Sequence, residues 1–220
     1  MRSALFSEEH LESTAQGMTL QNPKMLRVRF AGEFYARQGS MVAYQGDVDF
    51  AYQSQGIGRF MKQALTGESL PLMKVTGQGD VFLANDADEI YLIDLEGDSI
   101  TVSGQNILAL DAGMQWDVRR VEGAGVLAGG LFNTVITGQG RVAISSHGTP
   151  VILHVDAPTF VDVQSAVAWS STLQTSVRRT AKMGAIIGRG SGEAIQLTFS
   201  GPGFVVVQAS EGKKVVPHSH

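Results

Sequence analysis

Three glycine segments at nearly equal spacing constrain this chain more than any other feature. They are Val75–Leu83 (VTGQGDVFL), Ile136–Ile144 (ITGQGRVAI) and Phe199–Val207 (FSGPGFVVV), whose first glycines, Gly77, Gly138 and Gly201, stand 61 and 63 residues apart. Each reads as a strand, a tight Gly-x-Gly turn and a second strand. A lone Gly-x-Gly says little, but three with matched flanks define an internal repeat, and a repeat governs the fold. A glycine-containing approach precedes each: Leu65–Leu70 (LTGESL), Leu127–Phe132 (LAGGLF) and Gly188–Glu193 (GRGSGE). Further back lies an apolar–Ala–apolar step at Val42–Tyr44, Leu108–Leu110 and Val167–Trp169. These marks divide the chain into units of about 18–83, 84–144 and 145–209.

Between the marks the pattern is that of strands. Ile90–Leu95, Ser99–Val102, Val151–Val155 and Thr159–Val163 are rich in Val, Ile, Thr and aromatics, and several alternate with polar residues. Ala31-Gly32, Gly97-Asp98 and Ala157-Pro158 sit where turns are required. Helix is scarce: Phe60–Leu65 spans a turn or two, and Ser171–Met183 is the one polar stretch long enough for a helix. A single unit would leave an apolar sheet face uncovered. Three units closing around a pseudo-threefold axis bury those faces and remove the sheet edges. The expectation is an all-β barrel or prism of three repeats of about sixty residues, with the glycines at its rims. One β domain over 1–212 and a disordered tail over 213–220 complete it.

The run Arg59–Gly79 (RFMKQALTGESLPLMKVTGQG), continued by DVFLA to Ala84, resembles a signature of the altered-inheritance-of-mitochondria protein 24 family. The likeness extends from about Met18 to Ala209 and is sharpest in the Leu-Thr-Gly-Glu and Thr-Gly-x-Gly steps. It implies an all-β, threefold-repeated fold similar to the tryptophan RNA-binding attenuation protein (TRAP-like), in a homo-oligomer. For mitochondrial members it implies a role in inner-membrane organisation. It carries no catalytic residues.

Composition removes several function classes. The chain of 220 residues has no cysteine, which excludes disulfides, thiolate metal sites and cysteine nucleophiles. A net charge of −4 without clustered Lys and Arg argues against nucleic acid as a partner. Met1–Gln16 has no apolar stretch of signal-peptide length and no Arg-rich amphipathic character. Val121–Ile136 falls short of the roughly 20 apolar residues a spanning helix needs. A cytoplasmic location is expected.

The remaining motifs carry little chemistry. Gly123–Ala128 (GAGVLA) fits the dinucleotide pattern G-x-G-x-x-A, but Gly129-Gly130 and a strand come next, where a helix must start. His154 and Asp156 share a strand face, yet two ligands fall short of a metal site. Ser145-Ser146-His147 has no nucleophile elbow and no orienting carboxylate in its sequence neighbourhood. Asp86, Asp88, Glu89, Asp94, Glu96 and Asp98 lack the order of a calcium loop and read as a solvated acidic face. His218 and His220 lie on the tail beside Lys213-Lys214. Arg178-Arg179 with Lys182, and Arg119-Arg120, are small basic patches.

No catalytic, cofactor-binding or metal residue is therefore assigned. The reading that remains is a non-enzymatic binding or scaffold protein, a homo-oligomer for which a trimer is one expected form. Glycine-rich apolar loops at Gly56–Leu65, Gly123–Phe132 and Gly184–Gly192 would dock on a protein or membrane surface, with Leu127, Leu131 and Phe132 as the contact residues. The alternative is a small-molecule or sugar-binding protein using a pocket between repeats.

Overall fold

The computed structural model of the chain describes residues 3–7, 10–52, 72–121, 132–181 and 193–210. Nearly all of it is β-structure. The strands are β1 (Gly17–Asn22), β2 (Met25–Arg37), β3 (Met41–Tyr52), β4 (Leu72–Leu83), β5 (Glu89–Ser103), β6 (Ile107–Asp111) and β7 (Gln115–Arg120). They continue with β8 (Phe132–Ser146), β9 (Val151–Val155), β10 (Thr159–Asp162), β11 (Ala166–Ser170), β12 (Gln174–Ala181), β13 (Glu193–Ser200) and β14 (Gly203–Val207). No α-helix occurs among the described residues; Ala4–Phe6 and Gly104–Asn106 form single 3-10 turns.

Every strand pairing among the described residues is antiparallel. β4 lies between β2 and β3, and β8 runs between β5 on one side and β6 and β7 on the other. β14 lies between β9 and β11, and β13 between β10 and β12. Two further junctions, β2 with β6 and β5 with β11, join these groups into an eleven-stranded sheet, with β10, β13 and β12 forming a second. The path of the large sheet runs from β3 at one end to β9 at the other, so the expected closed barrel is not formed among the described residues.

The three apolar–Ala–apolar steps all fall on bulges. Register shifts by one residue between Met41 and Ala43 in β3, between Ile107 and Ala109 in β6, and between Ala166 and Ala168 in β11. An extra residue at a bulge raises local twist and bends the strand. Ala109 and Ala168 are fully buried, whereas Ala43 is exposed.

Several expected turns are instead features inside continuous strands. Gly77 and Gly79 lie within β4, and Gly138 and Gly140 within β8; only Gly201 belongs to a bend, between β13 and β14. Ala31-Gly32 lies inside β2, and Gly97-Asp98 forms a bulge inside β5 between Glu96 and Ser99. Ala157-Pro158 does separate two strands, β9 and β10, which go to different sheets. Ser171–Met183 is not helical over its described part. Most of it is β12, paired residue for residue with β13 from Gln174–Ser200 to Ala181–Glu193. Thr175, Val177 and Thr180 are β-branched, and the partner strand supplies the hydrogen bonds a helix would have made internally. Phe60–Leu65 and the 213–220 tail lie outside the described residues.

The glycines answer a steric demand at β4. Gly77 has φ +119°, and a Cβ there would sit 2.1 Å from the Asp47 carbonyl oxygen of β3; a Cβ on Gly79 would sit 2.0 Å from the Gln45 oxygen. The backbones approach too closely for any side chain. Gly138 has a similar φ, +131°, but its added Cβ would meet nothing nearer than 3.5 Å. Gly138→Ala therefore carries only the cost of its backbone conformation, about 1–3 kcal/mol. Gly77→Ala adds a backbone clash and should lose clearly more, a ranking that urea unfolding midpoints of the two variants will check.

Candidate functional site

The charged residues nearest the glycine segments form cross-strand pairs. Arg29 of β2 faces Asp80 of β4, one residue beyond Gly79, with Nε–Oδ1 and Nη2–Oδ2 contacts of 3.0 Å. Arg27, fully buried, brings Nη2 to 2.6 Å from the same carboxylate and donates from Nη1 to the Ala15 carbonyl. The guanidinium of Arg29, with that of Arg27 behind it, holds the Asp80 carboxyl below its ordinary range. At the matching position of β8, one residue beyond Gly140, the polarity is exchanged: Arg141 faces Asp94 of β5 at 2.6 and 3.0 Å. Arg141 lowers the Asp94 pKa through these bonds. One residue beyond Gly203, Phe204 faces His154 of β9.

A shallow cleft of about 240 Å³ opens beside Arg141, lined by Gly17, Met18, Asp94, Asp111 and Gln139 among others. Three of its four charged side chains, those of Asp94, Asp111 and Arg141, are already engaged. Arg141 donates to Asp94 and to the Met18 carbonyl, and the Arg141 amide donates to Asp111 at 2.7 Å. Such a cleft holds strands together more than it offers groups to a ligand.

The other sequence candidates separate in space or in bonding. Asp88 does lie 3.0 Å from His147 Nδ1, the carboxylate that the local sequence lacks. Ser145 and Ser146 are nevertheless buried, and their hydroxyls bond Asn85 and the Gly148 carbonyl rather than the imidazole. Glu89 accepts from Tyr91 and Thr149, Asp98 accepts from the Glu96 amide, and Asp94 holds Arg141. The acidic run is thus spread over separate local pairs, and no group of three potential metal ligands occurs among the described residues. Arg178 and Arg179 both lie on β12, paired with Gln196 and Ile195 of β13. The Arg178 guanidinium lies 5.2 Å from the Phe160 ring centroid, and Arg119 pairs with Asp117. Gly123–Ala128, Leu127, Leu131 and the other glycine-rich loop residues lie outside the described residues; Phe132 opens β8 opposite Arg120.

The described surface presents three apolar edge strands. Among the described strands β3 pairs only with β4, β9 only with β14, and β10 only with β13. Met41, Val42 and Tyr44 are exposed on β3, Val151, Ile152 and Leu153 on β9, and Phe160 on β10. Proteins commonly blunt such edges with Lys or Pro. β3 contains neither in its twelve residues. That absence is the one sequence signal that marks this edge in advance, and it becomes readable only once β3 is known to be terminal.

Residues 18–210 match the family model described as Mitochondrial biogenesis AIM24. An uncharacterised protein of Streptococcus pyogenes serotype M6 is 27% identical over 193 residues, covering 81% of this chain and 77% of its own length. A crystal structure of a Streptococcus pyogenes protein superposes with a TM-score of 0.69 at 24% identity, covering 88% of this chain and 92% of that one, a likeness of fold. No helix among the described residues is long and apolar enough to cross a membrane.

Because the folded Asp80 pKa is depressed, its stabilisation is complete above the ordinary carboxylate value of about 3.9 and is lost as pH falls below it towards the folded value. Asp80→Asn should flatten the acid limb of stability measured by urea unfolding between neutral and acid pH. At neutral pH Asp80→Ala should cost about 3 kcal/mol, because it leaves the buried Arg27 without its counter-charge.

Proposed function

The chain belongs to the mitochondrial biogenesis AIM24 family, and from that premise we propose that it is a non-enzymatic binding and scaffold protein working as a β-structured homo-oligomer. The observation that carries this reading is the set of exposed apolar edges at β3, β9 and β10. An unpaired edge of that kind is a template for another strand.

In this reading the fold behind those edges is three copies of one antiparallel unit. In this reading β2, β3 and β4 form the first copy, β5 to β8 the second, and β9 to β14 the third. Support comes from register. In each group the late glycine-bearing strands lie between the earlier ones: β4 between β2 and β3, β8 between β5 and both β6 and β7, β14 between β9 and β11, and β13 between β10 and β12. The Ala43, Ala109 and Ala168 bulges face Phe82, Ala143 and Val206, each three residues beyond the second glycine. The connections from Tyr52 to Leu72, Arg120 to Phe132 and Ala181 to Glu193 then leave the three copies at corresponding strand ends.

Light scattering over a hundredfold concentration range tests the proposal. The expected result is a mass that is a multiple of the 23.5 kDa chain and persists on dilution. A chain that stays at monomer mass throughout is not a self-assembling scaffold, and its edges then need a different explanation.

A further inference from the structure

We propose that the free edge of β10 in one copy pairs antiparallel with the free edge of β3 in a second copy, with Thr159 opposite Gln45, Phe160 opposite Tyr44 and Val161 opposite Ala43. This rests on the homo-oligomer reading above and specifies its interface.

The register comes from two junctions inside the chain. Between β2 and β6, Phe34 faces Asp111, Tyr35 faces Leu110 and Ala36 faces Ala109. Between β5 and β11, Ile100 faces Ser170, Thr101 faces Trp169 and Val102 faces Ala168. Both junctions use the same positions. Phe34 and Ile100 face Val75 and Ile136, each two residues before a first glycine, and the third residue of that kind, Phe199, faces Thr159. On the other side Ala109 and Ala168 face the third residue after a second glycine, and the remaining alanine of that kind is Ala43, facing Phe82. The described strands thus contain three donor edges and three acceptor edges of one pattern, and only two of each are used among them.

Exposure sorts them cleanly. Leu110 and Trp169, central at the two formed junctions, are 0% and 2% exposed. Tyr44, at the corresponding position of β3, is 50% exposed, and Phe160 on β10 is 44% exposed. Among the described strands these edges stay unpaired, with β3 and β9 terminal in the large sheet, while at the formed junctions Thr101, opposite Trp169, is buried and Tyr35, opposite Leu110, is half-buried. The occupant fitting the β3 edge is therefore the β10 edge of another copy. Pairing sets two aromatics opposite each other, an arrangement favoured across antiparallel strands. β3 carries two aspartates beyond Gly46 but no Lys or Pro to oppose a partner strand. The two edges differ, so the contact is head to tail, and it is satisfied in every copy when a ring closes.

The absence of cysteine makes the register directly testable. Full-length Tyr44→Cys and Phe160→Cys are purified separately, mixed and mildly oxidised. Opposed residues of an antiparallel pair have Cα atoms about 4.5–5.5 Å apart, inside the disulfide range. The expected product is a disulfide dimer containing one of each variant, at least tenfold faster than from Asp49→Cys mixed with Phe160→Cys. Either variant oxidised alone should give no dimer at that rate. Tyr44→Lys, an exposed change that leaves the core intact, should weaken self-association at least tenfold by light scattering. If the wild-type chain is an oligomer but the matched pair links no faster than the mismatched one, this interface is wrong and the scaffold reading stands. A disulfide formed only within single chains of the Tyr44→Cys/Phe160→Cys double variant means the chain closes on itself, and also overturns the interface. A wild-type monomer overturns both.

Discussion

The close approach of backbones at Gly46, Gly77 and Gly79 is the contact on which the first half of the structure depends. Carbonyls of β3 occupy the space where side chains on β4 would begin. This lets β4 stay hydrogen-bonded on both sides along its whole length while its backbone passes through positive φ. Continuous pairing then fixes the partners of every residue after the glycines. Asp80 arrives opposite Arg29 and next to the buried Arg27 only because no residue is gained or lost between Gly79 and that point. A one-residue slip would turn each side chain to the other face and bury Arg27 without a counter-charge.

The β8 segment reaches a similar path with looser contacts. Its glycines meet Gly113 and Met114 of the β6–β7 connection and Asp111 at the end of β6, not the carbonyls of an unbroken strand. A break between β6 and β7 thus takes the part that Gly46 plays in β3. The third segment goes further, breaking at Gly201-Pro202 into β13 and β14 and sending them to different sheets. Proline at Pro202 has no N–H to donate, so the strand cannot be carried through. The consequence appears at β10, which pairs with β13 in the smaller sheet and keeps one edge unpaired among the described strands.

Much of this is legible from residues alone, and the misses share a cause. Strand content, the glycine positions and the alanine steps are readable because they are local. A glycine inside a bent strand and a glycine in a hairpin turn carry the same local signal, so Gly77, Gly97 and Gly138 read as turns although pairing continues through them or bulges. Gln174–Ala181 is polar and reads as helix, because its partner, Glu193–Ser200, is distant in sequence. The carboxylate beside His147 comes from Asp88, 59 residues away, and Arg29 meets Asp80 across 51. Side-chain partnerships of this kind are set by register, which no short window contains.

The exchanged polarity of the two ion pairs bears on how such similar segments find their own partners. β2 and β5 are long strands of nearly the same apolar pattern, and β4 and β8 share the sequence Thr-Gly-Gln-Gly at their centres. Backbone hydrogen bonds alone would not distinguish β2 on β4 from β2 on β8. Charge does. The correct pairs set Arg29 against Asp80 and Asp94 against Arg141, whereas the exchanged pairs set Arg29 against Arg141 and Asp94 against Asp80. Directly opposed like charges are destabilising, and the first exchange also strands Arg27 in the interior without a carboxylate. Even where the Asp94–Arg141 pair is too exposed to contribute much stability, it still excludes a wrong pairing.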